Sequence, residues 1–314
     1  MSFKLGLVGL CTSHPECWVP IIRDMVKNGD IDVEIVAAWD SGETRPDGFA
    51  AEFCQKFDIP HAVANYTDML PMVDGVIVHT TNWDRHVEQA RPFVEADKAV
   101  MIDKPLAGNL RDLNIILDWI KQGKRVTGGS ALRFSPEAAA FLATPESERG
   151  TLHTVYTAIG VDDYNYGIHG YALLCALMGS RLKSVRFLGS GLMKQMQFNW
   201  AEDKTGLMTF GKNPWLPFAM TAVTTKNIFQ LKSTRIYESL LEKTLPYLSG
   251  KTDIPPLSLD EIAVPELAAL AARQSWMNNG AEVFLTDLRS DDPGYDGTQF
   301  AREYRRTRLQ PAAK

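Results

Sequence analysis

The first half of the chain alternates short apolar runs with helix-length segments, and this alternation constrains the fold more than any other feature. The runs are rich in branched residues and are bounded by glycine, proline, asparagine or aspartate. Strands that alternate with helices of this length predict βαβ units around a mostly parallel sheet. The expected strands span residues 4–10, 31–39, 75–79, 100–103 and 124–129, and the expected helices span 13–27, 47–57, 84–96 and 110–121.

The later segments alternate in the manner of an antiparallel sheet. Strands are expected over 150–160, 182–188, 207–210, 218–223 and 228–231, and helices over 172–178, 234–247, 265–278 and 300–308. We therefore predict an α/β protein in two parts. Residues 1–125 would form an N-terminal Rossmann dinucleotide-binding domain. Residues 126–314 would form an α+β domain with a mostly antiparallel open-faced sheet, for substrate binding and oligomerisation.

Composition narrows the class of protein. The net charge of −5 gives no electrostatic case for nucleic acid or an anionic membrane, and no apolar run approaches the length of a membrane span. The N-terminal residues lack the pattern of a signal peptide. The cysteines show no disulfide or CxxC pattern, which predicts free thiols in a reducing cytoplasm. No metal cluster is recognisable, since His153 and His169 lack ligand spacing.

Residues 100–105, Val-Met-Ile-Asp-Lys-Pro, end a predicted buried strand in an acid, a lysine and a proline. In an open α/β sheet the carboxyl ends of the strands form the edge where ligands bind. Pro105 disfavours the α region at Lys104, so the lysine side chain is directed. A lysine beside a carboxylate there is a candidate proton donor or acceptor for a substrate hydroxyl or carbonyl. The alternative is a surface lysine after an edge strand.

The turn after the first strand is where a Rossmann fold would bind a dinucleotide. The usual pattern has three glycines, for a tight turn, close approach of the diphosphate and helix packing. Here only Gly9 is present, and Cys11 and His14 take the other two places. Ser13 is the expected N-cap of the following helix, so its oxygen would use amides that could otherwise face phosphates. The alternative is a Rossmann-like scaffold with impaired or lost cofactor binding.

Polar residues also follow the second and third strands at this edge. Asp40 could accept hydrogen bonds from both ribose hydroxyls of NAD and would repel a 2′-phosphate, which favours NAD over NADP. Asp40 is equally suited to a turn with the next two residues. Asn82 and His86 are one helical turn apart, so both could face the cleft. The alternative for His86 is a solvated helix residue.

Two residues of the second half are candidates for the same cleft. Arg133 either reaches a ligand or ties the domains together, and the second reading is favoured. His169 lies at or near the start of an apolar helix, whose dipole disfavours the imidazolium form. A neutral imidazole there can relay a proton. The alternative for His169 is a capping or core histidine.

Taken in order, these segments resemble the Gfo/Idh/MocA family of NAD(P)-dependent oxidoreductases. Asp103-Lys104-Pro105 looks like the family's Glu-Lys-Pro, and residues 80–82 with His86 look like its Thr-Pro-Asn-x-x-x-His. Residues 133–136 match its Arg-Phe-x-Pro element. Residues 165–169 are similar to the start of its Asp-x-Gly-x-His-x-x-Asp element.

The resemblance covers most of the chain and is strongest over residues 3–180. It implies an oxidoreductase that passes a hydride to NAD from a sugar, polyol or cyclitol, often as a dimer or tetramer joined through the C-terminal sheet. It implies that Lys104 is the acid/base and His169 its partner. The implied cofactor contacts are Gly9, Cys11, Thr12, Ser13, Asp40, Thr80, Asn82, His86, Asp103 and Lys104, and the implied substrate contacts are Lys104, Arg133, Asn165, Tyr166 and His169.

The sequence departs from the family in charge as well as in glycines. Asn165 stands where the family has an acid, and an amide can neither act as a carboxylate base nor hold a charged lysine. Ala172 removes a second acid, and Asp103 is one methylene shorter than the family's glutamate. Lys104 and His169 are retained, which keeps proton transfer available.

Three functions stay open on these residues. The first is an NAD-dependent dehydrogenase or reductase for a sugar, polyol or cyclitol hydroxyl or carbonyl. The second is an enzyme that keeps NAD bound and uses transient oxidation to cleave a glycosidic bond, which net NAD(H) turnover would distinguish from the first. The third is a non-enzymatic ligand-binding or partner subunit with a degraded cofactor site. The missing glycines and Asn165 favour the third, and the retained Lys104 and His169 oppose it.

Overall fold

The structure is a computed structural model that describes residues 2–309, with side chains up to residue 307. Its first sheet has the strand order β3-β2-β1-β4-β5-β6, and every pair in it is parallel. This is the Rossmann order, in which successive strands are added to one side up to β3 and to the other side from β4, and a crevice opens between the carboxyl ends of β1 and β4. The elements are β1 (Phe3–Val8), α1 (His14–Lys27), β2 (Val33–Trp39), α2 (Phe49–Lys56), β3 (His61–Ala62), β4 (Gly75–Val78), α3 (His86–Glu95), β5 (Ala99–Asp103), α4 (Leu110–Lys121) and β6 (Val126–Gly129).

The central strands of this sheet are buried on both faces. All residues of β4 and β5 are buried. Alternate residues go to opposite sides, so Met101 joins one apolar cluster while Val100 and Ile102 join the other. This explains why these strands read as continuous apolar runs in the sequence. The sheet ends at Gly129, a few residues past the boundary expected at 125/126.

The second sheet is mixed, with the order β12-β11-β7-β10-β9-β8-β13. Strands β7 and β10 pair in parallel, and the other neighbours pair antiparallel. The predicted antiparallel character is therefore right for most pairs. Its elements and helices are α5 (Pro136–Ala143), α6 (Glu146–Arg149), β7 (Leu152–Ile159), α7 (Gly167–Met178), β8 (Leu182–Ser190), β9 (Lys194–Trp200), β10 (Thr205–Phe210), β11 (Ala219–Thr224), β12 (Ile228–Lys232), α8 (Ile236–Leu248), α9 (Leu259–Met277), β13 (Val283–Phe284) and α10 (Gly297–Leu309).

The sequence analysis missed strands β3 and β9 and helices α5 and α6, and it misplaced the start of α7 and α9. In β9 the apolar residues Met196, Phe198 and Trp200 alternate with polar ones, so a period-two signal was present. Helix α7 begins at Gly167 rather than near 172, because its first turn is also buried. Helix α9 begins at Leu259 rather than 265, because a capping box formed with Ser258 starts it and Pro265 is accommodated inside.

Helices from the second half of the chain cover the first sheet. Residues of α8 share an apolar cluster with α1, and Ile262 and Ala263 of α9 join the cluster on the other face. Helix α9 also packs against α7 and β8, so it lies between the two sheets. The two parts of the chain thus form one continuous body around α9. Within the described residues, no helix is long and apolar enough to cross a membrane.

Candidate active site

Lys104 lies just beyond β5 and points away from the first sheet toward the second half of the chain. Its side chain is buried, and Nζ donates to the backbone oxygen and to Oδ1 of Asn165, both at 3.0 Å. The ammonium also lies over the Tyr166 ring, 5.6 Å from its centre. Burial lowers the pKa of Lys104, while Asp103 and Asp162 act in the opposite direction.

The contact between Lys104 and Asn165 corrects one expectation. The amide does hold the lysine, through two oxygens, although it supplies no negative charge. The nearby negative charge comes instead from Asp103 and from Asp162, whose Oδ1 accepts the backbone N–H groups of Tyr164 and Tyr166. Burial raises the pKa of Asp162.

His169 lies in the first turn of α7 and is 6% exposed. Its Nδ1 is 2.8 Å from Oγ of Ser130, and its ring contacts the edge of Tyr166. Burial lowers the pKa of His169 well below its usual value, and the charge of Lys104 lowers it further. The imidazole is therefore neutral, as expected, but burial and Lys104 rather than the helix dipole are the causes.

Asp103 is the last residue of β5 and contacts two histidines. Its Oδ2 is 2.5 Å from Nδ1 of His14 and 3.3 Å from Nδ1 of His79, and its Oδ1 accepts the backbone N–H of Lys104. These interactions hold the pKa of Asp103 well below its usual range despite burial. Sequence reasoning named Asp103 but overlooked His79, although His79 directly follows β4 at the same edge.

The turn between β1 and α1 keeps the conformation that its single glycine allows. Gly9 has a φ of +89°, and a Cβ there would lie 2.6 Å from Cγ2 of Thr80. Cys11 is fully buried, 3.5 Å from Oγ of Ser41, and burial raises the pKa of its thiol. The predicted Ser13 cap is wrong in detail. Ser13 makes no side-chain cap bond, and Oγ1 of Thr12 accepts the His14 N–H instead.

The segment after β2 folds over this turn, which the sequence analysis did not foresee. Arg45 donates to the carbonyl oxygens of Leu10 and Thr12 and pairs with Glu16 at 3.0 Å. Thr44 is buried and donates to the carbonyl oxygen of Cys11. The turn between β1 and α1 is thus held by side chains of the segment that follows β2.

Asp40 lies at the carboxyl end of β2, as predicted. Its Oδ1 accepts the backbone N–H of Leu10, and its Oδ2 accepts that of Gly42. The second contact is the turn chemistry considered as the alternative. Both carboxylate oxygens keep further lone pairs, so the turn role and a ribose contact are compatible.

The residues after β4 have structural contacts. Thr80 donates to Gln89, and Nδ2 of Asn82 contacts Glu43 and Thr298 while Oδ1 caps the next turn. His86 is fully buried, with Nε2 2.8 Å from the carbonyl oxygen of Thr80 and Nδ1 3.2 Å from that of Leu106. The expectation that His86 faces the cleft is therefore corrected, because both ring nitrogens face backbone carbonyls.

Arg133 pairs with Glu261 of α9, which belongs to the same second half of the chain. The two groups are 3.3 Å apart, and their side chains are 6% and 40% exposed. This contact does not join the two halves, so the interdomain role that the sequence favoured stays a prediction. Burial raises the pKa of Glu261, and its bonds to Ser258 outweigh this and lower it overall.

The residues present fit the adenosine half of a dinucleotide. Asp40 offers carboxylate oxygens to a ribose, and Gly9 supplies the positive-φ residue of the turn, where a Cβ would meet Thr80. Arg45 donates to the carbonyl oxygens of this turn, and a guanidinium is complementary to phosphate oxygens.

Comparisons with known proteins agree with this geometry. Residues 3–129 match the family model described as "Oxidoreductase family, NAD-binding Rossmann fold". The curated "Putative oxidoreductase YceM" of Salmonella typhimurium is 26% identical over 222 residues, which are 66% of this chain and 68% of that protein.

Two solved structures show the same fold over most of the chain. A probable dehydrogenase from Thermotoga maritima has a TM-score of 0.78 at 16% identity, covering 91% of this chain and 100% of that one. The scyllo-inositol dehydrogenase from Lactobacillus casei with bound NAD(H) and scyllo-inositol has a TM-score of 0.74 at 13% identity, covering 91% and 100%.

A Rossmann domain followed by a mixed sheet, with polar side chains at the strand ends, is the arrangement of the oxidoreductases to which residues 3–129 are similar. Residues 3–129 are similar to the Gfo/Idh/MocA family of oxidoreductases, whose model describes an NAD-binding Rossmann fold. The resemblance inferred from the motifs is thereby confirmed.

Proposed function

We propose that this protein is an NAD-dependent dehydrogenase or reductase that interconverts a hydroxyl and a carbonyl on a sugar, polyol or cyclitol. The observation that carries the proposal is the buried amine of Lys104 at the carboxyl end of β5, with the neutral ring of His169 beside it. The substrate class is supported by the inositol dehydrogenases that share the fold.

In the oxidation direction Lys104 would act as the general base. A lysine must lose its proton to accept another, and burial favours the neutral amine. Asn165 and Tyr166 orient Nζ, the first through its oxygens and the second through its ring, and neither side chain carries a negative charge. The proton of the substrate hydroxyl would pass to Nζ, and in the reverse direction Lys104 would return it to the carbonyl oxygen.

His169 would bind the substrate beside Lys104. Ser130 engages Nδ1, which leaves Nε2 for a substrate hydroxyl. Because its pKa is well below the usual value, the ring stays neutral near pH 7 and adds no charge next to Lys104. Bound NAD would supply the hydride acceptor, and Asp40 and Gly9 are the residues that we propose hold its adenosine half.

We also propose that the first part of the chain, residues 1–125, binds the cofactor and that the second sheet joins copies of the chain. The face of that sheet turned away from α7 and α9 carries Tyr156, Leu188 and Ile228, which are 40%, 49% and 61% exposed. Exposed apolar side chains of this size favour a homodimer or homotetramer. The free cysteines support a reducing compartment such as the cytoplasm.

The test is calorimetric titration of the cofactor-stripped protein with NAD(H) and then NADP(H), followed by a screen of polyols and sugars. We expect binding of NAD(H) in preference to NADP(H), and net formation of reduced nicotinamide with a polyol. Binding without net turnover would favour glycosidic cleavage with resident NAD. Absence of binding would contradict the proposal and favour a ligand-binding subunit, an alternative that buried Cys11 and the Arg45 contacts support.

A further inference from the structure

We propose that His14, His79 and Asp103 form a binding site for one divalent transition-metal ion of the Zn²⁺ or Fe²⁺ type. The ligand atoms would be Nδ1 of each histidine and Oδ2 of the aspartate. These three side chains come from the start of α1, the residue after β4 and the end of β5. Neither NAD binding nor dehydrogenase activity is needed for this inference.

The three side chains converge on one small, buried volume. One ligand atom from each can be chosen so that all lie within 4.8 Å of one another. The side chains of His14, His79 and Asp103 are 10%, 0% and 4% exposed. Two imidazoles and one carboxylate are a common ligand set for divalent first-row metals and leave coordination positions for water or substrate.

The separations suit an ion after a small adjustment. Ligand atoms around a tetrahedral ion with bonds of about 2.1 Å lie roughly 3.4 Å apart. The 3.3 Å between His79 and Asp103 already matches this spacing, and the 2.5 Å between His14 and Asp103 requires the His14 ring to withdraw. His14 begins a helix and is the most exposed of the three, so it has the most room to do so.

Neighbouring groups orient each ligand, as they do in known metal sites. The backbone N–H of Lys104 donates to the other oxygen of Asp103 at 2.7 Å. The Trp18 ring stacks on His14 and makes an edge-to-face contact with His79, with ring centres 5.1 Å and 4.9 Å apart. Tyr237 of α8 contacts His14 from another direction, with ring centres 5.2 Å apart.

A second observation comes from the far nitrogen of His79. His79 is fully buried, and its Nε2 has no hydrogen-bond partner among the described residues. If Nδ1 carried the proton and donated to Asp103, the lone pair of Nε2 would be buried without a donor, which is costly. A metal on Nδ1 moves the proton to Nε2 of a ring whose centre lies 4.9 Å from that of Trp18, and an N–H can contact an aromatic ring.

The first experiment needs only the natural protein. It would be purified without an affinity tag, analysed for bound metals, stripped with a chelator and titrated with Co²⁺ in the absence of NAD. We expect about one ion per chain and a visible absorption from cobalt bound by nitrogen and oxygen ligands. If the protein carries no metal as purified and also shows no saturable uptake of Co²⁺, the proposal is overturned, and the three side chains form a purely hydrogen-bonded cluster.

Variants then assign the ion to these residues. Asp103→Asn replaces the carboxylate with an amide of the same size, and His79→Gln removes an imidazole ligand. Each should lower Co²⁺ affinity by at least about tenfold, because loss of a group that only supports a metal ligand already has an effect of that size. His153→Gln, at an exposed histidine outside the cluster, is the matched control and should bind as the natural protein does. Unchanged Co²⁺ affinity in the folded Asp103→Asn and His79→Gln proteins would overturn the assignment. Because metal uptake is measured without NAD, failure of the dehydrogenase proposal would leave this result unaffected.

Discussion

Single side chains at this site owe their chemistry to burial. Lys104 and His169 both have lowered pKa values because water is excluded from them. The pKa of Asp103, next to Lys104, is also lowered, but here the two histidines stabilise the charged form against burial. Burial therefore favours the neutral lysine, while the histidine contacts favour the ionised aspartate beside it.

Replacing Lys104 tests the proposed base. In Lys104→Met we expect turnover to fall by at least about 100-fold, the lower range for loss of a general acid or base. NAD affinity should change little, because Nζ contacts Asn165 and Tyr166 in the second half of the chain. Steady-state kinetics and calorimetry measure the two effects.

The control for this prediction is Lys27→Met, at an exposed lysine at the end of α1. It should retain full turnover. Full turnover in Lys104→Met as well would remove Lys104 from the chemistry and require another proton acceptor.

Gly9 should resist substitution for reasons of both conformation and space. Gly9 and Gly29 have similar positive φ values of +89° and +79°, but a Cβ on Gly9 meets Thr80 at 2.6 Å, whereas one on Gly29 meets nothing within 4 Å. We expect Gly29→Ala to cost about 1 kcal/mol from the backbone conformation alone. Gly9→Ala should cost about 2 kcal/mol more, because the crowded methyl group has no free space.

Urea unfolding of the two variants measures this difference. Equal losses of unfolding free energy would show that Thr80 moves aside easily. The turn at Gly9 could then change its conformation to bind a dinucleotide more easily than its close packing against Thr80 indicates.

Among the elements, α9 does most to join the two sheets. It has buried residues on every side and packs against α4, α7 and β8. A helix that is apolar all round is expected in the interior of a protein. Its start therefore matters for both halves of the chain, and that start depends on Ser258.

Ser258→Ala tests the cap of this helix. Oγ of Ser258 accepts the backbone N–H of Glu261 at 3.3 Å, and the Glu261 carboxylate accepts the Ser258 N–H at 2.9 Å. Loss of the serine oxygen should lower the unfolding free energy by about 1 kcal/mol. The control Ser147→Ala, at an exposed serine inside α6, should change it little. Equal unfolding midpoints in urea for the two variants would contradict the capping role.

Across the whole molecule, one buried carboxyl group connects three segments. Glu266 of α9 accepts the backbone N–H of Leu106 at 2.9 Å and the hydroxyl of Tyr164 at 2.8 Å. The Tyr164 hydroxyl also contacts the carbonyl oxygen of Ala107, so its single proton is shared between two acceptors. Burial raises the pKa of Glu266 to about 7, although both hydrogen bonds act against the shift. This contact holds the chain just after Lys104 against the second half of the protein.

The raised pKa of Glu266 predicts a pH effect on stability. The folded protein retains this proton between pH 4.5 and about 7, where the unfolded chain has lost it. Glu266 therefore makes stability fall as pH rises through this range, by about 3 kcal/mol, and contributes no further change above it. The buried histidines have lowered pKa values, so their contribution below pH 6.5 has the opposite sign.

Comparison with Glu266→Gln isolates the effect of Glu266. From pH 4.5 to about 7, the unfolding free energy of the natural protein should fall by about 3 kcal/mol relative to that of Glu266→Gln. Glu34→Gln, at an exposed acid of β2, should follow the natural protein at every pH. A difference curve without slope for Glu266→Gln would show that the carboxyl group is ionised throughout.

Local pattern was sufficient for most elements. Helix α4 was predicted with its observed bounds, because its apolar stripe lies between Asn109 and Gly123. Strand β9 was missed because its charged and amide residues hid a short alternation. The start of α9 was missed because Pro265 looked like a first-turn proline and lies in the helix interior.

The sequence by itself determined the parallel first sheet and the position of Asp40, Asp103 and Lys104 at its edge, because periodicity and turn residues are local properties. Only the tertiary structure decided what those residues contact. His14 and His79 lie 89 and 24 positions from Asp103 along the chain, and Arg45 lies 35 from the carbonyl that it covers. Burial and partner choice arise from packing between distant segments, so no local pattern encodes them.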